Sequence, residues 1–118
     1  MDWRAGHRYR AARAAAVAGF GGGADGAALS EAERARWRKQ ARVWLRLDLA
    51  AWTKGLQTAR PADRAEVQKT LARWRDDPDL AGLRDPGALD RLPAAERQEC
   101  RALWSDLDVR LAPTSLPR

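Results

Sequence analysis

The residue types that carry most enzyme chemistry are scarce in this chain, which has a single histidine, His7, and a single cysteine, Cys100. Two such residues cannot build a zinc cage without many carboxylates, and no Cys or Asp is placed to form a triad with His7. Cys100 is expected to be a small core residue rather than a nucleophile. His7 is expected to be a surface residue or to pair with Tyr9 or Trp3. We therefore expect no catalytic residues, no metal and no cofactor, and we interpret the chain as not an enzyme.

Asp48 is the carboxylate with the most unusual position, because it falls beside Trp44 and Trp52 on the apolar side of a predicted helix. Burial of an unpaired carboxylate is costly, so Asp48 is expected to accept hydrogen bonds from an arginine or from a helix N-terminus. Acid–base catalysis would need a second carboxylate or a histidine on the same face, and the sequence places none there. Asp48 is therefore a candidate buried polar residue.

Glycines cluster at residues 20–26, which could suggest a loop that cradles a phosphate. The segment lacks the Gly-Lys-Ser/Thr ending of such loops and does not follow a strand. It is predicted to be a connecting loop, with Gly19 as the C-cap of the preceding helix.

Composition and apolar spacing predict an all-α fold that positions these residues. The chain has 118 residues, among them 25 alanines and 19 arginines, but only four valines and no isoleucine. Ser30 and Glu33 have the spacing of a capping box at the start of a long helix. Four helices are predicted, at 3–18, 31–57, 61–75 and 93–111, with two short helical turns between the third and the fourth. One compact domain covers 1–112, and 113–118 is expected to be a disordered tail.

The six tryptophans are interpreted mainly as core residues, because large indoles supply buried area between small Ala-rich helices. A stacking surface for bases or a ligand is the alternative interpretation. On the second helix the apolar residues fall in one arc, and the basic residues lie opposite. The predicted core tryptophans are Trp37, Trp44, Trp52, Trp74 and Trp104.

The net charge of +6 is confined to the first part of the chain. Residues 1–46 contain ten Lys or Arg against four Asp or Glu, whereas residues 47–118 contain twelve of each. This asymmetry has two interpretations: a solvated helix face, or a basic stripe that binds an acidic partner. The stripe on the second helix consists of Arg36, Lys39, Arg42 and Arg46.

Two segments resemble a known family. Tyr9–Ala16 and Ala41–Leu45 are similar to the two helices of a tetratricopeptide repeat (TPR), and Asp77–Pro86 resembles the segment that often closes such arrays. Taken in order, the series resembles the C-terminal region of bacterial, planctomycete-type serine/threonine protein kinases with repeat arrays. The resemblance implies a TPR-like helical hairpin plus two further helices in a compact four-helix bundle or array. It also implies a non-catalytic helical interaction or scaffold module.

The chain departs from that family at Arg10 and Arg13, which stand where the family has Asn and a small Cys. Stacked repeats would bury these positions against a preceding repeat. Either Arg13 faces solvent or a second copy of the chain covers it, and we expect a two-fold homodimer through helix one. The full candidate interaction surface is Tyr9, Arg10, Arg13, Arg36, Lys39, Arg42 and Arg46.

Two functions remain open on the sequence alone. The first is the interaction module, with a protein partner of unknown identity. The alternative is binding of nucleic acid or another polyanion by the basic N-terminal half, although no recognised DNA- or RNA-binding motif is present. No apolar run approaches the roughly 20 residues that span a bilayer, and the N-terminus lacks the apolar core of a signal peptide. The expected location is therefore cytoplasmic, away from membranes.

Overall fold

The computed structural model describes residues 3–23, 26–58 and 60–111, and this part of the chain contains helices and loops but no strand. The predicted all-α class is confirmed: four longer helices form, with short helical turns between the third and the fourth. The predicted disordered tail at 113–118 lies outside the described residues. The α-helices are α1 (Trp3–Gly19), α2 (Glu31–Thr58), α3 (Pro61–Ala72), α4 (Ala81–Arg84), α5 (Pro86–Leu89) and α6 (Ala94–Leu111), and short 3-10 turns lie at Gly26–Ala28, Arg73–Arg75 and Pro78–Leu80.

Local sequence signals fix several helix starts. The Ser30 hydroxyl accepts from the backbone N–H of Glu33 at 3.1 Å, and the Ser30 N–H donates to the Glu33 carboxylate at 2.9 Å, which confirms the capping box. Pro61 opens α3, where a missing N–H costs nothing. Asp85 occupies the N-cap position of α5 without a side-chain cap bond, and its carboxylate accepts from Arg84 Nε at 3.3 Å.

The end of α1 is set by Gly21 rather than by Gly19. The N–H of Gly22 donates to Val17 O at 2.9 Å and that of Gly21 to Ala18 O at 3.1 Å, which is a Schellman turn. Gly21 has φ +82°, a left-handed conformation that favours glycine. Gly19 is the last helical residue, so its predicted capping role is wrong. The tight turn that follows α1 accounts for Gly21, and no bound phosphate is needed to explain it.

The helices α1 and α2 form an antiparallel hairpin. Near one end of the pair, Arg38 of α2 donates to the backbone oxygen of Gly19 at 3.0 Å. Ten residues further along α2, Asp48 accepts from Arg8 of α1 at 3.3 Å. Small residues on α1, including Ala12 and Ala16, are fully buried, which allows the two backbones to approach closely.

Helix α6 runs parallel to α2 on its other side. Glu96 pairs with Arg38 and Asp106 pairs with Arg46, so the partners follow the same order along both helices. Trp104 of α6 also donates its indole N–H to Leu83 O at 2.8 Å, which ties the helix to the connecting turns. The central helix α2 is thus covered by α1 on one flank and by α6 on the other.

One hydrophobic core joins these elements, and Trp74 is its largest fully buried side chain. Trp44, Trp52 and Trp104 are partly buried against it, in agreement with the predicted stripes. Trp37 was also expected in the core, but it is 41% exposed and that prediction is wrong. Helix α1 ends at Gly19, beside Arg38, so no further turn of that helix covers Trp37.

Candidate functional site

A buried arginine, Arg38, links α1, α2 and α6. It is only 3% exposed. Its Nε and Nη2 donate to the two oxygens of Glu96 at 2.8 and 2.9 Å, Nη2 also donates to Glu31 at 2.9 Å, and Nη1 donates to Gly19 O at 3.0 Å. The bidentate contact with Arg38 holds the pKa of the Glu96 carboxyl below its ordinary value. This cluster holds α1, α2 and α6 together, and the Arg38 charge is paired inside the fold instead of being exposed to a partner.

Arg42, one helical turn after Arg38, is buried as well. Its Nη1 donates to Glu96 at 3.0 Å and its Nε to Glu99 at 2.9 Å, and the residue is 8% exposed. The prediction that Arg42 lies on a solvated face available to a partner is therefore wrong. Carboxylates of α6 compensate its charge, so the guanidinium can enter the interior. The position of Arg38 between Leu45 and Leu49 on the helical wheel was a signal in the sequence that this edge of α2 faces inward.

The remaining members of the predicted basic stripe differ in their surroundings. Arg46 forms an ion pair with Asp106 of α6. Arg36 and Lys39 are exposed. Hydrogen bonds with Ser30, and to a smaller extent the charge of Arg36, lower the pKa of the Glu33 carboxyl. The stripe is therefore not one basic surface, because part of its charge is neutralised within the fold.

Tyr9 and Arg13 of α1 contact the chain's own connecting turns. The Tyr9 hydroxyl donates to Asp77 at 2.7 Å, and its ring stacks on Trp74 with centroids 5.4 Å apart. The Arg13 guanidinium pairs with two carboxylates: its Nε lies 3.2 Å from Asp77 Oδ2, and its Nη2 lies 3.0 Å from Asp79 Oδ2. Burial and the bond to Asp77 raise the pKa of Tyr9 above its ordinary value.

Arg13 faces solvent, the first of the two alternatives for it, because 41% of its side chain is exposed. Its charge is also paired within the chain, with Asp77 and Asp79, so a second copy is not needed to cover it. Arg10, at the neighbouring position on α1, is exposed. The homodimer through helix one stays a prediction, but Tyr9 and Arg13 are engaged within the chain.

Asp48 is buried as predicted, with 1% of its surface exposed. Its carboxylate accepts from the indole N–H of Trp52 at 3.1 Å and from Arg8 Nη1 at 3.3 Å. The expected arginine donor is therefore confirmed. The arrangement joins α1 to α2 and accounts for a buried charge in this position.

Cys100 lies in the core, as predicted, and burial raises the pKa of its thiol to about 11. A thiol with this pKa is almost entirely protonated near neutral pH, and the thiolate is the reactive form. Within the described ranges, no three His, Cys, Asp or Glu side chains come together as a group that could hold a metal ion.

An apolar stripe that sequence reasoning missed runs along α2 between its two covered flanks. Val43 is 41% exposed and Leu47, one turn later, is 52% exposed; Ala50 is exposed one turn further. Their spacing of four and three residues, outside the arc of tryptophans and leucines, was the available signal. We call the exposed surface formed by Arg36, Lys39, Val43, Leu47, Ala50 and Lys54 the outer face of α2.

A cleft of about 460 Å³ adjoins this face between α2 and α6. Leu49 and Ala50 contribute its apolar lining, and cationic side chains line its walls. Lys54 and Arg110 are exposed cations in the cleft, and neither forms an ion pair with another described residue. The cleft and the outer face of α2 share Ala50 and Lys54, so they form one continuous surface.

Comparison of the chain with known protein families, with curated proteins and with solved structures finds no match. Among the described residues, no helix combines the length and the apolar character that crossing a membrane requires.

Proposed function

We propose that the chain is a non-catalytic protein-interaction module, resembling the end of a TPR array, and that it binds its partner through the outer face of α2. The observation that carries this proposal is the exposure of Val43 and Leu47 in the middle of the longest helix. The exposed face of a helix is ordinarily polar, and a continuous exposed apolar surface marks an interaction site. The antiparallel hairpin of α1 and α2 supports the likeness to a repeat unit.

The chemistry of the outer face favours an acidic amphipathic helix as the partner. Cationic Arg36 and Lys39 lie at one end of the apolar stripe and Lys54 at the other. The neighbouring carboxylates of Glu99 and Asp106 are engaged by arginines of α2, so they do not cancel these cations. An apolar stripe between basic ends complements a helix with apolar side chains at every third or fourth position and acidic flanks.

Nucleic-acid binding is the weaker candidate. It depended on a continuous basic surface, and Arg13, Arg42 and Arg46 instead pair with carboxylates of the same chain. Binding to phosphates requires cations that are free to replace condensed counterions. The pairs leave fewer such cations than the +6 charge suggested.

The test uses a fluorescent helical peptide with leucines at every third or fourth position and glutamates on both flanks. We expect Leu47→Asp to weaken binding at least tenfold, roughly 1.4 kcal/mol, because it places a charge at the centre of the apolar contact. Val109→Asp is the matched control, since Val109 is 60% exposed on α6 and lies outside the outer face. Fluorescence anisotropy measures both affinities.

Three results would overturn the proposal. The first is a peptide that binds neither the parent chain nor its control, and the second is equal binding to the parent and to the Leu47→Asp variant. The third is tight binding of duplex DNA at low salt that Leu47→Asp leaves unchanged, since this would favour the polyanion alternative. A stable dimer that Leu47→Asp dissociates would replace the acidic helix with a second copy as the occupant of the face.

A further inference from the structure

The cleft between α2 and α6 has an excess of positive charge. Its walls carry Arg46, Lys54 and Arg110 against a single carboxylate, Asp106. Arg46 pairs with Asp106, so these two charges offset one another. Lys54 and Arg110 remain as exposed cations on opposite walls, contributed by α2 and by α6 respectively.

The residues that line the cleft also indicate the chemical character of its ligand. Leu49 and Ala50 provide apolar surface, and the Thr53 hydroxyl donates to Leu49 O at 2.8 Å, so its hydrogen is already used. A glutamate side chain fits this chemistry, because its methylene groups can cover apolar surface while its carboxylate accepts from cationic donors. The volume of the cleft, about 460 Å³, exceeds that of one glutamate side chain.

We propose that this cleft is a carboxylate subsite that receives an acidic side chain of the same partner helix. The inference rests on the proposed function, because the cleft shares Ala50 and Lys54 with the outer face of α2. It adds a specific role: Val43 and Leu47 supply apolar contact, whereas Lys54 and Arg110 select partners with an acidic residue beyond the last apolar position. Charged contacts at the edge of an interface contribute specificity in this way.

The experiment compares two peptides that differ at one position, glutamate or glutamine, one turn beyond the last leucine. At about 50 mM salt the glutamate peptide is expected to bind the parent chain about threefold to tenfold more tightly, and the difference should shrink as salt screens the charges. In the double variant Lys54→Gln/Arg110→Gln the two peptides should bind equally. Lys69→Gln on α3 removes the same kind of charge outside the cleft and should preserve the difference.

The outcomes separate this inference from the proposed function. If the parent chain binds both peptides equally while Leu47→Asp weakens both, the cleft is not a carboxylate subsite and the outer face of α2 still binds the partner. If Leu47→Asp weakens neither peptide, the proposed function fails and the combined surface fails with it. If Lys69→Gln abolishes the difference as fully as the cleft variant does, the preference is a general charge effect and the subsite is overturned.

Discussion

Arg38 illustrates how a single buried residue can join three helices. Its guanidinium reaches Glu96 on α6, Glu31 at the start of α2 and the last backbone oxygen of α1, that of Gly19. A buried charge is tolerated when its hydrogen-bonding groups find partners of opposite charge. Arg38 meets that condition, and its hydrogen bonds to Glu96 and Glu31 raise the pKa of the guanidinium above its ordinary value.

Replacing Arg38 by methionine should therefore destabilise the fold by about 3 kcal/mol, because the Glu96 side chain, only 15% exposed, keeps Arg42 alone to pair with it. The double variant Arg38→Met/Glu96→Met should lose less than the sum of its two single variants, since it removes both charges of the pair and leaves Arg42 with Glu99 as its partner. Urea denaturation measures all three free energies of unfolding. Arg36→Met on the exposed side of α2 is the control and should change stability by less than about 0.5 kcal/mol. Additive losses in the double variant would show that the pair does not act as a unit.

The sequence identified some residues of this network and missed others. Asp48 could be predicted because a carboxylate between Trp44 and Trp52 must be paired once its helix packs. For Arg42, the position of Arg38 on the helical wheel was a signal that this edge of α2 faces inward, but the wheel does not show which neighbour covers Arg42 or leaves Trp37 exposed. The carboxylates of α6 decide that Arg42 is inside, and they come from a distant segment of the chain.

At the scale of elements, the hairpin of α1 and α2 depends on a close approach of the two backbones. Gly19 is the tightest point, because a Cβ built there would lie 2.4 Å from Arg38 Cγ and 3.0 Å from the Arg38 backbone nitrogen. At Gly55, near the end of α2, an added methyl group would meet no atom within 4 Å apart from its chain neighbours and the adjacent backbone of its own helix. Gly19 is therefore required for close packing against Arg38, whereas no contact with another part of the chain requires glycine at position 55.

Alanine substitution should separate these two roles. Gly19→Ala is expected to destabilise the fold by about 1–3 kcal/mol, because the new methyl group displaces the buried Arg38. Gly55→Ala should instead stabilise it by about 0.5–1 kcal/mol, since alanine lowers the backbone entropy of the unfolded chain and favours the helix. Thermal unfolding of both variants gives the comparison. A shift of the two midpoints in the same direction would contradict the assigned role of Gly19.

Helix boundaries were predictable from sequence where one local signal acts alone. Ser30 with Glu33 marks the start of α2, and Pro61 marks the start of α3. The end of α1 was not predictable from sequence, because Gly19 and Gly21 both fit the capping position. The choice between them depends on how α1 packs against Arg38. The exposed stripe at Val43 and Leu47 is visible in the spacing, but the tryptophans and leucines of the opposite face form the stronger apolar pattern.

At the scale of the whole molecule, internal pairing changes the meaning of the +6 charge. Many basic residues of the first part are matched by acidic residues of the second part, as Arg42 is by Glu99 and Arg13 by Asp79. The uneven distribution of charge along the sequence is thus explained in part by ion pairs between residues 1–46 and residues 47–118. The stability of such a fold depends on the carboxylates remaining ionised.

Acid sensitivity follows from the same pairing and can be given a sign. Arg38 lowers the pKa of Glu96 in the folded state from its ordinary value of 4.5, so at acidic pH the unfolded chain binds a proton at this carboxyl more readily than the folded chain does. The stabilisation is fully present above about pH 5 and is lost as the pH falls through the folded-state pKa. Urea midpoints measured between about pH 7 and about pH 3 should decline with acid, and less steeply for Glu96→Gln, which keeps the shape of the side chain but cannot ionise. An equally steep decline in that variant would mean that other carboxylates, and not the Arg38–Glu96 pair, control the acid stability of the fold.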